Sequence, residues 1–334
     1  MTELPPGAWT RPRERWGRFG AAPLPREVLV LADQRVVALH AHVRRALSGQ
    51  RVIALRAGER TKSLATVQRL ALETLDVPRK ATLLAIGGGT IGDLATVYAH
   101  LHKRGLRLIH CPTTLLAAVD SSVGGKGAVN VAGVKNALGV FHACEETWLC
   151  PELFETLSPA QRLEGRVEAW KVALTDARTW KRWTASPPSD AALLEEARAL
   201  KEAVVARDPY ERHGVRAVLN FGHTFGHVIE GLTRYRVRHG LAVALGTLCA
   251  LDVGVALGVT PPTLASEVEA KMPGASRRRL ATVLRGASVR DVEERLAADK
   301  KGGTMVLLAR PGRIVEAQVS PATWRALLPK WRRP

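Results

Sequence analysis

Residues 81–93 read Ala-Thr-Leu-Leu-Ala-Ile-Gly-Gly-Gly-Thr-Ile-Gly-Asp. A short apolar run, Ala81–Ile86, enters a glycine turn, and helical periodicity follows over Ile91–Arg104. Such a run bounded by turn residues is a buried parallel strand, and the following helix offers free N–H groups to an anion. Gly87, Gly89 and Gly92 match G-x-G-x-x-G, but the stretch about twenty positions on, Cys111-Pro112-Thr113-Thr114-Leu115, has no acidic residue for a ribose. The turn is therefore not the standard dinucleotide fingerprint. It is either a phosphate cradle or an ordinary tight connection.

Outward from this turn the same alternation repeats. Val28–Ala32, Arg51–Leu55 and Leu106–His110 read as strands, and Arg35–Leu47 and Ser63–Leu75 as helices. Strands alternating with helices predict an α/β domain over 26–158 with a parallel sheet covered on both faces. Beyond about residue 160 the texture becomes Ala/Leu/Glu/Arg-rich, which predicts a mainly helical domain over 159–334. A small hairpin, Thr304–Ala309 with Arg313–Val319, is expected around Pro311-Gly312. Residues 1–25, rich in Pro, Arg and Gly, read as a loosely ordered basic arm.

The chain has 334 residues, 46% hydrophobic, with a formal net charge of +18. The basic residues are dispersed and not interleaved with aromatics, and no zinc-finger or homeodomain pattern occurs, so a solvated Arg-rich surface is preferred to nucleic-acid binding. Four cysteines without C-x-x-C spacing read as reduced thiols of a cytoplasmic protein. No apolar run approaches membrane-spanning length and the N-terminus has no secretory core, so no membrane partner is expected.

Two stretches carry chemistry. Residues 112–126, Pro-Thr-Thr-Leu-Leu-Ala-Ala-Val-Asp-Ser-Ser-Val-Gly-Gly-Lys, followed by Asn130 and Lys135-Asn136, gather hydroxyls, a carboxylate, a glycine turn and two lysines, which suits an anionic, hydroxylated ligand. Further on, Asn220, His223, His227 and Glu230 step by 3, 4 and 3, which predicts one face of a helix. Apolar residues lie between them, so the polar stripe either lines a buried site, with a divalent metal as the first ligand to test, or is a solvated face with two histidines.

GGGTIGDLA, KRG, PTTLLAAVDSSVGGK, KN, Glu168-Ala-Trp-Lys171, Arg216-x-x-x-Asn220-Phe-Gly-His-Thr-Phe-Gly-His227, His239-Gly240 and Asp299-Lys-Lys301 together resemble the 3-dehydroquinate synthase family, in order and at close to its spacing, over about residues 28–310. The resemblance implies a carbon–oxygen (phosphate) lyase of the shikimate pathway. It would convert 3-deoxy-D-arabino-heptulosonate 7-phosphate to 3-dehydroquinate and phosphate by transient NAD-dependent oxidation, elimination, re-reduction and intramolecular aldol closure. It implies Glu168, His223 and His239 as ligands of Zn²⁺ or Co²⁺, with Lys171 close to the reacting hydroxyl. Lys126, Asn136, His227 and Lys301 would lie near the substrate phosphate. Arg104 would reach that phosphate from a neighbouring subunit, which implies a homodimer. Lys201, Arg216 and Asn220 would hold the carboxylate and ring hydroxyls. Asp33, Glu59, Lys62, Gly88, Gly89, Asp93, Thr113, Thr114, Asp120, Lys135, Thr156 and Leu157 would contact NAD.

Taken singly, Glu168 and Lys171 would read as a surface ion pair, and Glu59 and Lys62 as helix caps. The sequence departs from the family in its Pro- and Arg-rich opening, in an Asp208–Val215 stretch one residue longer than usual, and in Thr96-Val97-Tyr98, where small residues are common. Two rivals are a cyclase acting on a neutral sugar phosphate and a metal-dependent polyol dehydrogenase. The first would not need Arg216 with Asn220 and Lys201, and the second would not need Lys126, Asn136 and Arg104.

Overall fold

The computed structural model describes residues 9–132, 134–298 and 303–333. The chain divides into two compact units between Arg162 and Leu163. The first unit contains β1 (Arg13–Trp16), β2 (Val28–Asp33), α1 (Gln34–Leu39), α2 (Ala41–Ala46), β3 (Arg51–Leu55), α3 (Leu64–Glu73), β4 (Thr82–Gly87), α4 (Gly89–Leu101), β5 (Arg107–Pro112), β6 (Lys126–Val131), β7 (Val134–Phe141) and β8 (Glu146–Leu149). Six strands form one sheet in the order β1-β8-β5-β4-β2-β3, and every pair is parallel. All six residues of β2 and of β4 are buried. Successive side chains serve opposite faces: Leu29, Leu31 and Leu83 pack with Val67, Leu70 and Leu94, whereas Val30, Leu84 and Ile86 pack with Val36, Val43 and Trp148. The apolar runs therefore lack polar alternation because neither face of the sheet meets water.

Of the arm expected over residues 1–25, residues 1–8 lie outside the described residues. Arg13–Trp16 pairs with β8 as an edge strand, and Phe19 is 3% exposed in the core against Trp148, with ring centroids 6.1 Å apart. Arg15 stacks over Trp148 at 5.0 Å. The expected helix over Arg35–Leu47 is broken at His40, whose extended backbone (φ −110°, ψ 94°) separates α1 from α2. The β6–β7 hairpin lies within a stretch read only for its ligand chemistry; its glycines and bulge hide the two-residue alternation.

In the second unit, α5 (Pro159–Ala173), α6 (Ala177–Ala185), α7 (Asp190–Arg207), α8 (His223–Leu232), α9 (His239–Ala256), α10 (Pro262–Lys271), α11 (Arg277–Leu284) and α12 (Val289–Ala298) precede a hairpin, β9 (Thr304–Arg310) with β10 (Arg313–Gln318), and α13 (Pro321–Trp331). The first residues of α5 belong to the first unit by contact. One expectation is corrected by α9: at 18 residues it is long and apolar enough to cross a membrane, but 78% of it is buried, so it serves as the central core helix of its unit. It packs with Phe225, Trp324 and Trp331 in one cluster. A close crossing of α8 and α9 positions their first residues. Gly222 has φ 78°, and a Cβ on Gly246 would collide with the backbone of Gly222 and Gly226.

Candidate active site

Gly222 also corrects the predicted stripe. Asn220 ends a 3₁₀ turn, Val215–Asn220, and the left-handed glycine separates it from α8, so Asn220 and His223 do not share a helix. His223 and His239 are instead the first residues of α8 and α9. Their rings lie 5.3 Å apart. Glu168, 2% exposed on α5, places Oε1 3.7 Å from His223 Nε2 and 3.6 Å from His239 Nε2. One ligand atom from each of the three residues lies within 4.8 Å of the others. Neither Glu168 oxygen has an aligned hydrogen bond, although the Lys171 ammonium contacts Oε2. This pair is buried, at 1% and 4% side-chain exposure, and is not a surface i,i+3 bridge. A buried carboxylate oxygen facing two imidazoles is the donor set of a catalytic zinc site with open positions. The residues fit a divalent cation.

The electrostatics agree. Burial opposes the charge on Glu168, but Lys171, His223 and His239 hold its carboxyl well below the usual range. Burial, reinforced by Lys171, pushes His223 down and keeps it neutral, as a ligand requires. Burial acts the same way on His239, but the Glu168 and Glu230 carboxylates facing its two ring nitrogens outweigh it and push the imidazole up to about 10. Glu230 is the functional residue whose role the sequence did not reveal. Its Oε2 lies 3.4 Å from His239 Nδ1, the far side of the ring, so it orients that imidazole. Its only sequence signal was its place in the polar stripe. His227 is exposed and stands outside the trio, its ring 5.6 Å from that of His223.

Lys201 is buried on α7, which packs against the 3₁₀ turn carrying Arg216 and Asn220. Arg216 is 3% exposed and its Nη1 donates to Pro209 O at 2.8 Å. Lys301, with Asp299 and Lys300, lies outside the described residues.

In the first unit Gly88 caps α4, and the following glycine starts it. A Cβ on Gly88 would meet Thr114 Cγ2 at 3.1 Å, and one on Gly89 would meet Ser121 Oγ at 3.2 Å. The turn is a cradle that any larger residue would fill, and it fits a phosphate-bearing cofactor. Thr113 donates its N–H to Gly87 O at 2.9 Å, and Asp120 lies in a π turn, Ala117–Ser121. Lys62 Nζ contacts Asp93 and donates to Asn136 Oδ1 at 2.5 Å. The Asp93 carboxyl is pushed up by burial despite Lys62. Beside them Asn130 Nδ2 donates to Glu59 Oε2 at 2.7 Å, and Lys135 stands 4.0 Å from Glu59. Glu59 and Lys62 are not helix caps, since Ser63 caps α3. Asp33 lies at the end of β2 and caps α1 through Arg35 N. Thr156 is exposed and bonded to His40 at 3.2 Å, and Leu157 donates its backbone N–H to Phe154 O. Lys126 opens the exposed hairpin. Arg104 is exposed in a strained turn, with φ 47° at Lys103 and 68° at Arg104.

Known proteins resemble this chain in sequence and in architecture. The family model for the 3-dehydroquinate synthase N-terminal domain matches residues 52–164, and that for the C-terminal domain matches residues 165–302. The chain is 40% identical to 3-dehydroquinate synthase of Rhodospirillum rubrum over 323 residues, covering 88% of this chain and 83% of the relative. It is 40% identical to that of Paracoccus denitrificans over 266 residues, covering 74% and 72%. A solved 2-epi-5-epi-valiolone synthase from Streptomyces hygroscopicus subsp. jinggangensis 5008, with NAD⁺ and Zn²⁺ bound, has the same fold at a TM-score of 0.84, 22% identity and coverage of 99% of this chain and 98% of that one. The chain belongs to the 3-dehydroquinate synthase family.

Proposed function

We propose that the protein is 3-dehydroquinate synthase, converting 3-deoxy-D-arabino-heptulosonate 7-phosphate to 3-dehydroquinate and phosphate with no net redox change. The observation that carries the reading is the buried Glu168, with Oε1 3.6–3.7 Å from two imidazoles, in a chain 40% identical to two enzymes of that name. Glu168, His223 and His239 would hold Zn²⁺ or Co²⁺, and the glycine turn with Asp33, Glu59, Lys62, Asp93, Thr113, Thr114, Asp120, Lys135, Thr156 and Leu157 would hold NAD⁺. When bound, these groups supply hydride acceptance and return, and polarise a substrate hydroxyl.

The chain's own residues bind and orient. Lys171, buried against Glu168, is placed to hold or move a proton at the reacting hydroxyl. Lys126, Asn136 and His227 receive the phosphate, with Arg104 supplied by the second copy of a homodimer. Lys201, Arg216 and Asn220 take the carboxylate and ring hydroxyls. Arg216, buried on the turn that packs against α7 with its Lys201, favours a carboxylate-bearing substrate over a neutral sugar phosphate, since a guanidinium fork matches a carboxylate. The enzyme is assigned to the cytoplasm. The test incubates pure protein with the heptulosonate phosphate, NAD⁺ and Zn²⁺. Equal yields of phosphate and dehydroquinate are expected, without NADH accumulating at steady state. Stoichiometric NADH would identify a simple dehydrogenase, and preference for a neutral heptose phosphate would identify a specialised cyclase.

A further inference from the structure

The loop that delivers Arg216 is organised by one side chain outside the residues already assigned. Asp208 closes α7, its N–H donating to Val205 O at 3.0 Å, and it is 1% exposed. Its Oδ1 accepts the backbone N–H of Arg212 at 2.8 Å, and its Oδ2 those of His213 at 3.1 Å and Val215 at 3.2 Å. Burial opposes this charge, but the three N–H donors prevail and keep the carboxyl below its usual range. Val215 is the first residue of the 3₁₀ turn that carries Arg216 and Asn220. The guanidinium returns to the same loop, with Nη1 donating to the carbonyl of Pro209, the neighbour of Asp208. Within this longer stretch Glu211 takes φ 55°, a conformation costly for a non-glycine residue, so the loop needs an internal anchor.

We propose that Asp208 is a positioning residue for substrate: its carboxylate fixes the 208–215 loop so that Arg216 is held ready for the substrate's carboxylate. This rests on the reading of Arg216 above. An arginine fork works through geometry, so an error of a fraction of an ångström in its backbone degrades recognition.

A double-mutant cycle tests it with metal- and NAD-loaded enzyme and the heptulosonate phosphate. Asp208→Asn keeps the size and one acceptor but sets an amide against the N–H donors. Expected is a loss of about tenfold or more in kcat/KM, mostly in KM, in the wild-type background, falling to about twofold or less in the Arg216→Lys background. Metal content and NAD affinity should not change. Equal losses in both backgrounds would show a merely structural loop anchor and overturn the inference while leaving the reading of Arg216 intact. An Arg216→Lys enzyme with undiminished kcat/KM would overturn both. Asp208→Glu, which keeps the charge and displaces both oxygens, enters the same cycle if Asp208→Asn does not fold.

Discussion

Around Glu168 the second unit buries a carboxylate between two imidazoles and a lysine, and no aligned hydrogen bond reaches either of its oxygens. Around Asp93 the first unit holds a half-buried carboxylate, and among the described residues one ammonium, Lys62, contacts it and donates to Asn136 as well. The first cluster is completed only by a proton on His239 or by a cation. The second closes on itself. The difference separates two kinds of site: one whose geometry presupposes its ligand, and one whose side chains hold each other in register while backbone and glycines receive the ligand.

The sharpest way to break this contrast is to remove the carboxylate from the first cluster. Glu168→Gln should abolish turnover and strip the metal. The affinity loss should exceed the roughly 10–100-fold expected when only a supporting partner is removed, which is the loss expected for Glu230→Gln. His227→Ala should keep stoichiometric metal and lose rate. Metal analysis of the three purified variants checks this. Full occupancy in Glu168→Gln would sink the ligand assignment.

The proton on His239 gives the next largest effect. His223 is held neutral, so metal displaces one proton, from the imidazole raised to about 10. Metal affinity should therefore climb by about tenfold per pH unit between about pH 7 and 9. Calorimetry in buffers of different ionisation enthalpy should count one proton released. In the metal-free protein this raised group contributes stability that is fully present below its ordinary value of 6.5 and is lost as pH rises through about 10. A flat metal affinity over that window would show that no proton occupies the place of the cation.

In the self-closed cluster the expected effect is smaller. Lys62→Met removes the ammonium that joins Asp93 to Asn136 and leaves the glycine cradle intact. NAD affinity should fall by about tenfold, the scale of one charged hydrogen bond, with metal content unchanged. A loss of metal would mean that the two clusters are not independent.

The strands and α8 were legible because their patterns are local: four apolar runs bounded by turn residues, and His223, His227 and Glu230 at helical spacing. What could not be read depended on partners distant in sequence. Arg13–Trp16 becomes a strand only because β8 offers it an edge, and Glu230 acquires a role only because α9 brings His239 to it. Asn220 was placed on the wrong element because Gly222 was counted within a helical spacing, while its φ of 78° ends one element and starts the next. The paired groups Lys62–Asp93 and Glu168–Lys171 were each named in the sequence, but whether such a pair is solvated or buried depends on tertiary packing.

The smallest effect comes from Thr96-Val97-Tyr98 on α4. Tyr98 is 1% exposed, and its hydroxyl lies 2.6 Å from Thr74 Oγ1 and 3.0 Å from His102 Nδ1. Val77 O can only accept, so His102 Nε2, 3.2 Å away, carries the hydrogen that binds it. Lys103 Nζ donates to Val77 O and Leu75 O, at 2.6 and 2.9 Å. Tyr98 therefore ties α3 and α4 to the strained turn that presents Arg104. Tyr98→Phe keeps the buried ring and removes the hydroxyl; Thr74 still donates to Leu70 O at 2.5 Å, so mainly His102 loses a partner. The expected cost is about 1 kcal/mol, or a few degrees in Tm by calorimetry, with NAD affinity and kcat/KM within about twofold of wild type. A loss of NAD affinity as large as that of Lys62→Met would place this network in the cofactor site and would extend the self-closed cluster from the glycine turn to the far end of α4.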